Sequence, residues 1–125
     1  MITLNKDIAN NIVFTLTEKS VLVTPNYLFS MTNDSSGEQK VFSMDDVSSY
    51  PRRYNLFTLT ENSVENLSAG TVSLKYGWGK YEVYESTGST LNISDTTGRI
   101  IEEGKYFING YPANFNGNNS NDIYL

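Results

Sequence analysis

The chain has 125 residues, 38% of them hydrophobic and 18% charged, a net charge of -5 at pH 7, and neither cysteine nor histidine. That length and composition fit one folded domain with its own core, and the acidic balance opposes nucleic acid and anionic membrane as partners. The two missing residue types exclude disulfides, the usual zinc sites, Ser-His and Cys-His nucleophile pairs, and the side chain best suited to proton transfer near neutral pH.

At the N-terminus, MITLNKDIANN lacks a basic segment followed by an apolar run, so no signal peptide is expected. No stretch of the chain is apolar for long enough to span a bilayer as a helix. Period-two alternation then recurs. In NIVFTLT, Ile12, Phe14 and Leu16 share one face; in NYLFSMT, Tyr27, Phe29 and Met31 do. Asn33 to Glu38, NDSSGE, reads as a hairpin connection with Gly37 free to take positive φ. KVFSM is a third run. SMDDVSSY, from Ser43 to Tyr50, predicts one helical turn capped by Ser43 and stopped by Pro51, and Ser63 to Leu67 hints at a second. NLFTLT places Phe57 and Leu59 together, TVSL places Val72 with Leu74, and RIIEEGKYFI follows the turn Asp95 to Gly98. Seven to eight short strands rich in β-branched and aromatic residues predict an all-β fold, an antiparallel sandwich or a small barrel.

The densest stretch is YGWGKYEVYES, from Tyr76 to Ser86. Alternation sets Tyr81 and Val83 on one face and Trp78, Lys80, Glu82 and Tyr84 on the other, with a bend or bulge at Gly77 and Gly79. The Gly-x-Tyr-x-Val pattern resembles the sixth strand of immunoglobulin-like and fibronectin-like sandwiches. That resemblance implies a corner role for Tyr81, its hydroxyl returning to the backbone. A single lysine among acids suits a packed strand better than an anion-binding platform. Trp78 is kept as an interface anchor.

Other constellations are weaker. Arg52 and Arg53, flanked by Tyr50 and Tyr54, fit either solvated or intramolecular ion pairing, or an intersubunit salt bridge. Asp34, Ser36 and Glu38 offer alternate hard oxygens without the rest of a calcium loop. Asp45-Asp46 and Glu102-Glu103 are adjacent and diverge, so paired-carboxylate hydrolysis is poorly supported. Gly77-x-Gly79 opens no phosphate loop. No cofactor or metal is expected. The Asn-rich run YPANFNGNNSNDIYL, residues 111–125, lacks core alternation and holds the apolar Ile123, Tyr124 and Leu125. It reads either as a frayed tail or as an arm that docks on a neighbouring subunit, by adding a strand to an exposed edge. The domain itself is read as residues 1–110.

In their order and spacing, NNIVFTLTEKS, TPNYLFSMTND, SSYPRRYNLFTLTE, GWGKYEVYES and RIIEEGKYFI resemble a family of small all-β virion proteins of tailed phages that infect Bacteroidetes, crAss-like phages included. The resemblance spans roughly residues 4–108 and leaves out the Asn-rich extension. It implies an immunoglobulin-like sandwich with no catalysis, acting as an auxiliary or decoration protein on the major capsid lattice, or as a neck or tail component. It further implies virion localisation after assembly in the host cytoplasm, with other virion proteins as partners, self-association possible, and neither nucleic acid nor membrane bound. The interface would draw on Arg52, Arg53, Trp78, Tyr84, Ile123, Tyr124 and Leu125. A glycan-binding adhesion module, using Trp78 and Tyr84 as its aromatic platform, is the alternative of a different class.

Overall fold

The computed structural model describes residues 1–22 and 25–109. Eight strands form two sheets: β1 (Ile2–Asn5), β2 (Ala9–Phe14), β3 (Asn26–Asn33), β4 (Gln39–Ser43), β5 (Asn55–Glu61), β6 (Thr71–Val72), β7 (Gly77–Ser86) and β8 (Ile100–Asn109). One sheet has the order β1-β8-β7-β3-β4 and the other β2-β5-β6. The fold is therefore a β-sandwich, and the barrel does not form.

Two pairings depart from the antiparallel expectation. β1 lies parallel to β8, and β6 lies parallel to β5. Both have a topological cause. β1 crosses to the other sheet through the Lys6–Ile8 turn, so it does not fold back on its own neighbour in sequence. The chain leaving β5 returns through a short 3-10 turn, Leu67–Ala69, closed by left-handed Gly70, and so re-enters beside β5 in the same direction. The 3-10 turn stands just beyond the weaker helical hint. The helical turn predicted at Ser43 to Tyr50 is absent: Ser43 completes β4, and its hydroxyl donates to Ser68 O at 3.2 Å.

Alternation decides which side chains are buried. Asn55, Phe57, Leu59 and Glu61 point inward from β5, and Asn10, Ile12 and Phe14 from β2. Tyr27, Phe29, Met31 and Phe42 cover them from the larger sheet. Phe29 and Phe57 meet edge to face with centroids 4.9 Å apart, a geometry that adds to their burial. Each such ring contributes about 2–3 kcal/mol through removal from water. Leu16 is fully buried although β2 has already ended, because Asn55 Oδ1 captures the amides of Leu16 (2.6 Å) and Thr17 (3.3 Å) and turns the chain inward. The NDSSGE connection forms the expected hairpin. Gly37 has φ +73°, and Asn33 Oδ1 accepts from the amides of Ser35 and Ser36. No helix among the described residues is long and apolar enough to cross a membrane.

Candidate functional site

All but the first residue of the Tyr76–Ser86 stretch forms β7, whose inner face is built by tyrosine-glycine exchange. Tyr81 pairs with Gly104 across β7 and β8, and Gly79 pairs with Tyr106. Each ring lies over the glycine opposite. A Cβ at Gly79 would stand 2.2 Å from Tyr106 Cζ, and one at Gly104 would stand 2.8 Å from the Tyr81 hydroxyl. Gly79 is thus there for ring space; only Gly77, at φ +100°, supplies the expected bend. The irregularity in the ladder falls further on, between Val83 and Tyr84.

The Tyr81 hydroxyl donates to Glu102 Oε2 at 3.3 Å, a carboxylate on β8, in place of the main-chain contact a corner tyrosine would make. Burial, then the Glu102 charge and that hydrogen bond, push its pKa up to about 12. Tyr106, buried near the charges of Asp34 and Glu38, is likewise pushed up to about 12.

On the outer face Trp78 is half exposed and leans on its cross-strand partner Phe107, centroids 5.1 Å apart. Lys80 reaches Glu103 at 3.3 Å and Glu82 at 3.5 Å. Tyr84 is only 8% exposed, and its hydroxyl donates to Glu82 Oε1 at 3.0 Å. It stands about 20 Å along the strand from Trp78, given a rise of about 3.3 Å per residue. The two rings therefore do not make a shared platform, and Tyr84 is not presented as an interface side chain. Leu28 stands opposite it on β3 and is itself 1% exposed, a neighbour that alternation within one strand cannot reveal.

Arg52 and Arg53 lie at the opposite end of the sandwich from Trp78, in the β4–β5 connection. That loop is tied at many points. Asp46 accepts from the amides of Ser48 (2.9 Å) and Leu56 (3.0 Å) and from Asn55 Nδ2 (2.7 Å). Ser48 Oγ accepts from the Tyr50 amide, Tyr50 O from the Arg53 amide, and Pro51 O from the Thr17 hydroxyl at 2.6 Å. Neither guanidinium has an ion-pair partner among the described residues. Val47 and Tyr50 are 59% and 64% exposed beside them. The result is a fixed loop presenting two adjacent cations, a tyrosine and a valine on an acidic chain. Ile123, Tyr124 and Leu125 lie outside the described residues.

The carboxylate pairs separate as their adjacency implies. Glu102 takes Lys19 and Tyr81, while Glu103 faces Lys80. Asp34 is held by Lys105, and Asp46 is the hub of its loop.

Two residues that sequence reasoning passed over carry the ends of the sandwich. Glu61, 1% exposed, accepts from the amides of Asp7 (2.8 Å) and Leu74 (3.0 Å) and from Lys6 Nζ (3.0 Å). Burial alone would raise its pKa, but those donors and the lysine charge outweigh it and hold the carboxyl below its usual value. Glu85, fully buried, accepts from the amides of Val21 (3.2 Å) and Leu22 (3.3 Å) and from Arg99 (3.3 Å). The signal was present in the parity: Glu61 continues the inward row Phe57, Leu59, and Glu85 continues Tyr81, Val83.

No family model and no curated protein matches the chain. Among solved structures, one titled "putative glycoside hydrolase", from Bacteroides vulgatus, superposes on 90% of this chain with a TM-score of 0.49 and 8% identity. The chain spans 17% of that protein's length. At that score and identity the likeness decides neither a family nor an activity for this chain.

Proposed function

We propose that the protein is a non-enzymatic virion structural domain, an immunoglobulin-like sandwich that acts as an auxiliary capsid protein on the major capsid lattice. The observation that carries this reading is the tied β4–β5 loop, whose Arg52 and Arg53 have no ion-pair partner among the described residues and whose Tyr50 and Val47 are exposed. Arginine and tyrosine dominate binding hot spots, and a loop already fixed by hydrogen bonds loses little freedom on docking. The charge complement of such a patch is a carboxylate-bearing protein surface. The order of the sequence motifs supports the virion setting. The immunoglobulin-like description is supported by β3, β7 and β8 on one sheet facing β2 and β5 on the other.

Mass spectrometry of purified particles, counting copies per virion, tests the setting. On the order of hundreds of copies fits the capsid lattice; about a dozen fits a neck or tail ring, where symmetry sets the number. Absence from particles overturns the virion reading. The double substitution Arg52→Glu/Arg53→Glu tests the surface. It should lower incorporation at least about tenfold while the melting temperature stays put, because reversing charges at a docking patch acts on association. Normal incorporation of the variant would remove the patch from the interface.

A further inference from the structure

The larger sheet has an incomplete edge. β1 pairs with β8 only from Tyr106 to Asn109, so Ile100 to Lys105 have β7 on one side and no strand among the described residues on the other. Alternate residues of that stretch turn their N–H and C=O groups towards the open side, as edge strands must. Across from it β2 is the outer strand of the smaller sheet. Between the two edges, below the start of β1, lies a cleft of about 270 Å³. Its walls include Ile2, Val13, Phe14 and Tyr81, with Lys19 paired to Glu102 across it. Val13 is 61% exposed there.

We infer that this open edge receives residues 111–125 of a second copy of the chain, added as an extra strand beside Ile100 to Lys105. Three features select that occupant. Fifteen extended residues reach about 50 Å, enough to cross to a neighbour and still lie along six residues of edge. In a strand, Ile123 and Leu125 share one face, which suits the inward-facing Ile2 and Phe14 of the cleft wall, and Tyr124 takes the other. The donor copy is favoured over the chain's own segment because β1 already occupies the β8 edge where the chain leaves Asn109. The inference is independent of the Arg52-Arg53 patch, since it concerns self-association along a different surface.

The test is amide hydrogen exchange on the full chain over a roughly hundredfold concentration range, with sedimentation in parallel. The expected result is association on concentration, with amides in 101–105 exchanging at least about tenfold more slowly in the associated form. In the full-length variant Ile123→Asp/Leu125→Asp, that protection and the association should both be lost, while the amides of β3 and β7 stay protected and report an intact fold. Identical exchange at 101–105 in parent and variant would overturn the proposal. Protection that needs Ile123 and Leu125 yet persists in a strictly monomeric protein would also overturn it, by assigning the edge to the chain's own segment.

Discussion

The two ends of the sandwich solve the same problem with different tightness. Each buries a glutamate that gathers the amides of a connecting segment. At the Glu61 end the donors stand at 2.8–3.0 Å, and the counter-ion, Lys6, is itself mostly covered, donates to Leu74 O at 2.7 Å and sits over the Tyr76 ring. At the Glu85 end the contacts stand at 3.2–3.3 Å, and Arg99 is half exposed. Short turns meet at the first end. The long connections converge on the second, together with the Arg52-Arg53 loop. A buried carboxylate works as a hub for backbone donors in both places, but only a covered counter-ion lets it act at full strength. The more open end is where a partner surface can be presented on loops without disturbing the core.

Removing the hubs gives the largest contrast. Glu61→Ala should cost about 3–5 kcal/mol, because it strands a largely covered lysine and two amides. Glu85→Ala should cost about 1–3 kcal/mol, since Arg99 can turn to water. Urea denaturation of both variants measures the difference, and an equal or reversed order would break the comparison.

The tyrosine-glycine pairs sharpen it at the next level. Gly79→Ala forces a methyl to within 2.2 Å of a fully buried ring and should cost about 1–3 kcal/mol. Gly104→Ala meets Tyr81 at 2.8 Å, at the edge of the open cleft, and should cost about 1 kcal/mol or less. Thermal melts of the two single variants decide this, and a costlier Gly104→Ala would show the cleft side to be the stiffer one.

Acid titration gives the smallest and most specific effect. The folded pKa of Glu61 lies below the ordinary glutamate value of 4.5. Its stabilisation is therefore fully present above about pH 4.5 and is lost as pH falls through the lower folded value, where the native carboxylate finally protonates. Stability measured against pH should fall in that window for the parent and fall less steeply for Glu61→Gln. A parallel decline in both proteins would remove Glu61 from the acid response.

Much of the fold was legible because a half-buried sheet imposes period two on its residues. The inward rows of β2, β3, β5 and β7 followed directly from that pattern, and so did the divergence of Glu102 and Glu103. The Asn33 hub and Gly37 made the β3–β4 hairpin readable. What escaped depended on neighbours from other strands. Tyr84 reads as an outer residue, yet it is buried opposite Leu28. Gly79 reads as a bulge, yet it makes room for the Tyr106 ring. Ser43 to Asp46 read as a helix start, but Asp46 spends its oxygens on Asn55 and Leu56 of the adjoining strand. Of the residues expected at an interface, Arg52 and Arg53 stand in one tied loop with no ion-pair partner among the described residues, and Trp78 lies at the far end.

By itself the sequence determined the all-β class, the inward apolar rows of the main strands, and the exclusion of histidine and cysteine chemistry. Local sterics and side-chain chemistry fix those properties residue by residue. Only the tertiary structure decided the sheet order, the parallel pairings of β1 and β6, the roles of Glu61 and Glu85, and the open edge along Ile100 to Lys105. Each depends on which strand lies beside which, and that is settled by the joint burial of residues far apart in the chain.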